Sequence, residues 1–175
     1  MWPFKKKTLL PGITKRPDGK VTYELSPDEK EYIAKYLGPG PPTEDELKYW
    51  DSPPGTAAPE QMMARMADAL WHYAGEQAVR ARSSTSESKI KEYLGKASAA
   101  LMKSEQVFPL PAFTFMLASF SDMTGRKEVA KKLFAEFLRQ QRSFEPSPLA
   151  RDMAKRILDV TEAVNSAESK LVTED

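Results

Sequence analysis

The stretch FTFMLASFSDMTGRKEVAKKLFAEFL, Phe113–Leu138, decides the fold class of this chain. Phe113, Met116, Leu117, Phe120 and Met123 recur at spacings of three and four, which places them on one face of an α-helix. After Gly125, residues Val129, Ala130, Leu133, Phe134, Phe137 and Leu138 repeat the pattern with a wider apolar face. Two amphipathic helices joined by a tight turn at Gly125 follow, since glycine takes turn conformations that other residues resist. A face as wide as that of the second helix predicts burial on two sides, as in an inner helix of a bundle or stack.

The flanking segments continue the helical period. Met62, Met66, Leu70, Tyr73 and Ala74 predict a helix from about Pro59 to Arg82. The polar run SSTS follows, with Ser84 and Glu87 at capping-box spacing. Ile90, Tyr93, Leu94, Ala97 and Leu101 predict the next helix, ending near Ser104, and Pro109 and Pro111 introduce the central pair. Beyond it, Ser147 and Pro148 suit the N-cap and first position of a last helix with the stripe Leu149, Ala150, Met153, Ile157, Val160, Thr161 and Val164. Five helices with short loops predict an all-α domain of antiparallel neighbours over residues 58–167, with a fraying tail at 168–175.

The N-terminal third reads differently. Ten of the fourteen prolines lie in residues 1–60, where each removes a backbone donor and restricts its predecessor. Residues 1–57 are therefore expected to form a mostly extended arm with one or two short helices. Asp18-Gly19 is a turn signal, and residues 20–25 alternate well enough to pair with residues 12–15 as a hairpin. Ser26, Pro27 and Glu29 form a helix start, followed by the apolar face Tyr32, Ile33, Tyr36 and Leu37. Thr43 and Glu46 mark a second, shorter one running through Leu47, Tyr49 and Trp50. The aromatics Tyr32, Tyr36, Tyr49 and Trp50 would pin the arm to the helical body; the alternative is a tail that folds on a partner.

An offset of 33 residues superposes Ala97 on Ala130, Leu101 on Phe134, Met116 on Leu149 and Phe120 on Met153. That is close to the ~34-residue period of helix-turn-helix repeats. Leu117-Ala118, the Gly125 turn and Ala130-Lys131-Lys132-Leu133-Phe134 resemble the tetratricopeptide pattern, mainly over residues 113–142. Small Ala118 and Ala130 would let two helices approach closely while Phe134 fills the next gap. Thr114 and Ser121 stand where the family has Trp and Tyr, and Pro146 comes late for the repeat end. The resemblance implies a tetratricopeptide-like stack or bundle and partner binding, with no catalytic residues to carry over.

Composition excludes several chemistries. The chain has 175 residues, no cysteine and one histidine, His72, so no thiolate site or His-His metal site can form within it. No phosphate-cradling or dinucleotide glycine motif and no nucleophile elbow is present. The acidic clusters at Asp28-Glu29-Glu31 and Glu44-Asp45-Glu46 lack the glycine-punctuated order of a calcium loop and sit where helix starts favour acids. The expectation is a protein that is not an enzyme and holds no metal or cofactor.

Charge is distributed in blocks. Residues 1–20 carry six basic side chains against Asp18, a net +5, and residues 21–60 a net −6, although the whole chain is only +1. Trp2 and Phe4 beside Lys5, Lys6 and Lys7 are candidate contacts to an anionic membrane surface, worth about 1 kcal/mol per lysine. No window has the ~20 apolar residues of a spanning helix, and no signal-peptide pattern precedes Pro11, which points to a cytoplasmic protein. Arg126, Lys127, Lys131, Lys132, Arg139 and Arg142 lie off the apolar stripe as a solvated face, so nucleic acid is not the favoured partner.

The functional expectation is a non-catalytic interaction module that binds a peptide or protein partner in a helical groove. Trp71, Tyr73, Phe115 and Ser119, on the first helices of the pairs, are the candidate partner-binding residues. Two alternatives stand beside it: a structural or self-assembling unit whose arm occupies its own groove, and a peripheral membrane adaptor acting through Trp2–Lys7.

Overall fold

The computed structural model describes residues 10–36, 43–50, 52 and 56–172. Among them are β1 (Ile13–Lys15), β2 (Val21–Tyr23) and eight helices. The helices are α1 (Pro27–Tyr36), α2 (Glu44–Trp50), α3 (Glu60–Ser83), α4 (Glu87–Val107), α5 (Pro111–Met123), α6 (Lys127–Ser143), α7 (Pro148–Ile157) and α8 (Val160–Val172). The protein is thus predominantly α-helical, with a minimal antiparallel sheet. Two compact units divide after Phe108. The sequence suggests a boundary at residue 57; in the structure β1, β2, α1 and α2 group with α3 and α4, and Pro109 and Pro111 interrupt the helical run at the division.

In the first unit the hairpin forms where the turn chemistry places it. Ile13 pairs with Tyr23 and Lys15 with Val21. Gly19 takes φ +83°, and the Asp18 carboxylate accepts from the Lys20 amide at 3.0 Å. Two three-residue strands are marginal by themselves. Contacts to the helices supply the rest, including a hydrogen bond between the Tyr23 phenol and the Gln106 side chain of α4. Gly12 has φ +74°, and a Cβ there would stand 1.9 Å from the Glu24 carbonyl oxygen. Only glycine fits a backbone that passes so close to its partner strand.

Both predicted N-terminal capping boxes are present. Ser26 Oγ accepts from the Glu29 amide at 3.2 Å while Glu29 Oε2 accepts from the Ser26 amide at 2.9 Å. Thr43 and Glu46 make the same reciprocal pair at 3.1 and 3.0 Å. The other Glu46 oxygen accepts from Arg65, which ties α2 to α3. Helices α3 and α4 form a long hairpin whose facing residues are small. Ala67, Ala74, Ala97, Ala99 and Ala100 are all fully buried, and Ser104 Oγ donates to the Ala67 and Ala100 carbonyls at 3.4 and 3.0 Å. Alanines at a crossing let backbones approach and keep packing dense without side-chain entropy loss.

The capping box predicted at Ser84 and Glu87 does not form. Ser84 is occupied in ending α3, its amide still bonded to the Ala81 carbonyl, and Ser86 takes over as N-cap by accepting from the Lys89 amide.

The second unit is built on the predicted helical pair. Gly125 turns the chain at φ +77°, and the Arg126 amide returns to the Ser121 carbonyl at 2.9 Å. Ala118, Ala130, Phe134, Phe137, Ala163 and Ala167 form the core, with Phe115, Leu133, Leu138, Leu158 and Val164 packed against it. Helix α6 contacts both α5 and α8, which accounts for its wide apolar face. The single last helix expected from Ser147 is instead two. Leu158 is extended at φ −150°, ψ 136°, and Asp159 restarts the helix by accepting from the Glu162 amide at 3.1 Å. The break turns Leu158 onto the core, and α8 runs through the expected tail to Val172. Residues 58–172 therefore hold six helices rather than five.

Asp122 of α5 accepts from Lys127 of α6 at 2.7 Å and from Lys170 of α8 at 2.6 Å. These bonds, that of Lys127 first, hold its carboxyl below the ordinary value of 3.8. A depressed carboxyl adds stability that is fully present above its unfolded value and disappears as pH falls through the native one. Both lysines are largely exposed, so the contribution is about 0.5–1 kcal/mol. Asp122→Asn should lower Tm by roughly 2 °C at pH 6, with the gap to wild type closing below pH 3.8 as the carboxyl protonates. A gap that persists unchanged in strong acid contradicts this role.

Candidate functional site

Lys103 of α4 has no solvent exposure, and its Nζ stands 2.6 and 2.9 Å from the two carboxylate oxygens of Glu29, itself 1% exposed. The same Nζ donates to the Pro11 carbonyl at 2.5 Å. Burial pushes the Glu29 carboxyl up and the Lys103 ammonium down, each restrained by the charge of the other. With three acceptor atoms around three N–H donors, the geometry is that of the ion pair. It locks the first turn of α1 and the start of the hairpin onto α4, and thereby places α1 across α3 and α4.

That placement leaves a cleft of about 560 Å³ lined from α1 by Asp28, Glu31, Tyr32, Lys35 and Tyr36, from α3 by Tyr73, Glu76, Gln77 and Arg80, and from α4 by Lys96. The rings of Tyr32 and Tyr36 are stacked at 5.8 Å, and Tyr73 meets Tyr32 edge-on at 5.4 Å. The rim carries both signs of charge in pairs. Glu31 pairs with Lys35 at 2.7 Å, Glu76 with Arg80 at 2.9 Å and Asp28 with Lys96 at 3.2 Å. Burial opposes the charge of Lys96, but Glu92 and Asp28 outweigh it and hold the ammonium above its ordinary value.

Burial first, then Glu29, Asp28 and Glu76, push the Tyr73 hydroxyl far above its ordinary value against the opposing charge of Arg80. Tyr32 is raised by burial and by Glu76, with which its hydroxyl hydrogen-bonds. Neither phenol is poised to give up its proton near neutrality, so the wall offers ring faces and O–H donors rather than a base.

Gln77 is the singular member of this lining. It is 4% exposed, and its Oε1 has no hydrogen-bond partner among the described residues. A buried acceptor left unpaired costs about 1–3 kcal/mol, so a polar residue kept in this state invites an explanation.

The candidate residues named from sequence fall in different places. Tyr73 lines the cleft. Trp71 is half-buried with its ring 4.4 Å from that of His72, outside the cleft lining. In the second unit, Phe115 packs edge-on against Phe134 and Phe137 at 5.7 and 5.2 Å, and Ser119 Oγ donates back to the Phe115 carbonyl at 3.0 Å. Trp2, Phe4, Lys5, Lys6 and Lys7 lie outside the described residues. His72 Nε2 is 3.8 Å from Asp68, and its ring is 4.8 Å from Tyr36. Among the described residues no group of three or more His, Cys, Asp or Glu is arranged to hold a metal ion, and no helix is long and apolar enough to cross a membrane.

Gln77, Glu76, Arg80 and Lys96 were not legible as site residues. The signal for Gln77 was available: it lies four residues from Tyr73 and four from Ala81 on the buried stripe of α3. Lys103 had a similar one, standing four residues from Ala99 and from Val107 on the buried side of α4. Comparison with known protein families, with curated proteins and with solved structures finds no match to this chain.

If the Gln77 acceptor is an unmet group, Gln77→Met, similar in length and helix propensity, should raise stability by about 1 kcal/mol, or roughly 2–4 °C in Tm. A fall in Tm would mean that the amide is satisfied in solution.

Proposed function

We propose that this protein is a non-catalytic interaction module that seats a peptide segment of a partner in the cleft between α1, α3 and α4. The observation carrying this reading is Gln77, a wall residue of the aromatic cleft whose buried Oε1 has no hydrogen-bond partner among the described residues. A peptide brings backbone N–H donors for such an acceptor and side chains that pack on tyrosine rings. About 560 Å³ lies within the usual range of ligand pockets. The rim pairs, of both signs, can exchange partners with charged residues of an extended chain. Since α1 supplies one wall, the N-terminal region acts as builder of the cleft rather than as its occupant.

The tetratricopeptide-like reading belongs to the same proposal. It is supported in α5 and α6 by the burial of Ala118, Ala130 and Phe134 in one core and by the turn at Gly125. Modules of that kind present rigid helical surfaces to partners.

Selection of a displayed random-peptide library on the full chain tests the reading. The expected result is a set of enriched peptides that compete with one another and lose at least ten-fold in affinity when Tyr32→Ala is introduced. Failure to enrich any peptide, or binders indifferent to Tyr32→Ala, contradicts it.

A further inference from the structure

The cleft is more specific than a general peptide groove. Its wall holds Gln77, whose buried Oε1 has no donor among the described residues and can be turned toward a ligand by rotation about the soft terminal torsion of the side chain. Beside it Glu76 supplies a carboxylate, and Tyr32 and Tyr73 supply ring surface. Among the described residues, Arg80 is the cation that opposes Glu29, Asp28 and Glu76 at Tyr73.

Arg80 shows what this environment selects. Its NH2 group sits 2.9 Å from Glu76 Oε1 as an i,i+4 pair with both side chains substantially exposed. Such pairs contribute about 0.3–0.5 kcal/mol and are readily exchanged. An incoming guanidinium can take over Glu76 while reaching the acceptor that Arg80 leaves unmet. It has five N–H donors in a planar fork, enough for a carboxylate and an amide oxygen together, and a flat face suited to tyrosine. A carboxylate in the same place would meet the Glu76 carboxylate and the Gln77 acceptor, neither of which can donate to it.

We infer that the cleft takes an arginine side chain of the partner, its guanidinium stacked on the tyrosine wall and shared between Glu76 and Gln77 Oε1. This rests on the peptide-binding reading above and sharpens it to a residue type. Asp28 and Glu31, at the α1 side of the rim, serve further basic residues of the same segment. Lys35 and Lys96 set the opposite preference where the segment leaves the cleft.

The test uses the full chain and three acetylated, amidated pentapeptides that differ only at the central residue: arginine, lysine or citrulline, each flanked by alanines. Citrulline keeps the shape of arginine and removes its charge. Binding is followed through the ring resonances of Tyr32 and Tyr73, up to about 5 mM peptide. The arginine peptide should shift both tyrosines and bind at least ten-fold tighter than the citrulline peptide, with lysine between them. Gln77→Met and Glu76→Gln should each weaken the arginine peptide by about three- to ten-fold, the first without loss of thermal stability. Equal affinity for arginine and citrulline overturns the inference, as does an arginine affinity unchanged by both substitutions or an absence of tyrosine shifts. Enrichment of library peptides that lack basic residues yet depend on Tyr32 would overturn it while leaving peptide binding intact.

Discussion

The first unit depends on one lysine. Lys103 carries its ammonium into a site with no solvent exposure, where the Glu29 carboxylate and the Pro11 carbonyl are its acceptors. Desolvating both ions costs several kcal/mol each, and attraction offsets that cost only with close geometry and full hydrogen bonding. The geometry here meets that condition, and Glu29 also completes the capping box that starts α1. One carboxylate thus fixes where a helix begins and where it docks. Removing either partner would strand the other as a buried charge, which is worth about 3–5 kcal/mol. The pair is better understood as a device for position than as a net source of stability, since an apolar pair of the same volume would pack without the desolvation cost.

From that position the cleft follows. Helix α1 is short, and its polar residues alternate with Tyr32, Ile33 and Tyr36. Ile33 is buried against the helical body, while Tyr32 and Tyr36 stack along one cleft wall. The facing residues of α3 and α4 are largely alanine, so the two helices lie close and leave the long side chains of Tyr73, Gln77, Arg80 and Lys96 to shape the opposing side. The second unit uses the same idiom with aromatic filling: Ala118 and Ala130 bring α5 and α6 together, and Phe134 and Phe137 occupy the space beside them.

Much of this was legible in the chain. Helical period, proline and glycine punctuation, and capping spacings are local properties, and they located the Gly125 turn, the Asp18-Gly19 hairpin, and the helix starts at Ser26, Thr43 and Ser147. Local reasoning erred where two local signals compete. At Ser84–Ser86 two serines and a threonine offer a cap, and the backbone of the preceding helix decides which is used. At Leu158-Asp159 an unbroken apolar stripe hid a break that the Asp159-to-Glu162 spacing could have signalled. The cleft was least legible because it joins residues from three helices, brought together by a pair separated by 74 positions. Tyr73, which lines the cleft, is legible as an aromatic on a helix face; Gln77 and Lys103 are not, because polar residues on apolar stripes look like noise until a partner, or the lack of one, is seen.

The central claim is that Lys103 holds the N-terminal hairpin and α1 onto α3 and α4. Amide hydrogen exchange on Lys103→Met tests it most directly. The account predicts that β1, β2 and α1 lose most of their protection while the α3–α4 hairpin and the second unit keep theirs. Unchanged protection across residues 13–36 would contradict it, and would assign the placement of α1 to its apolar contacts alone.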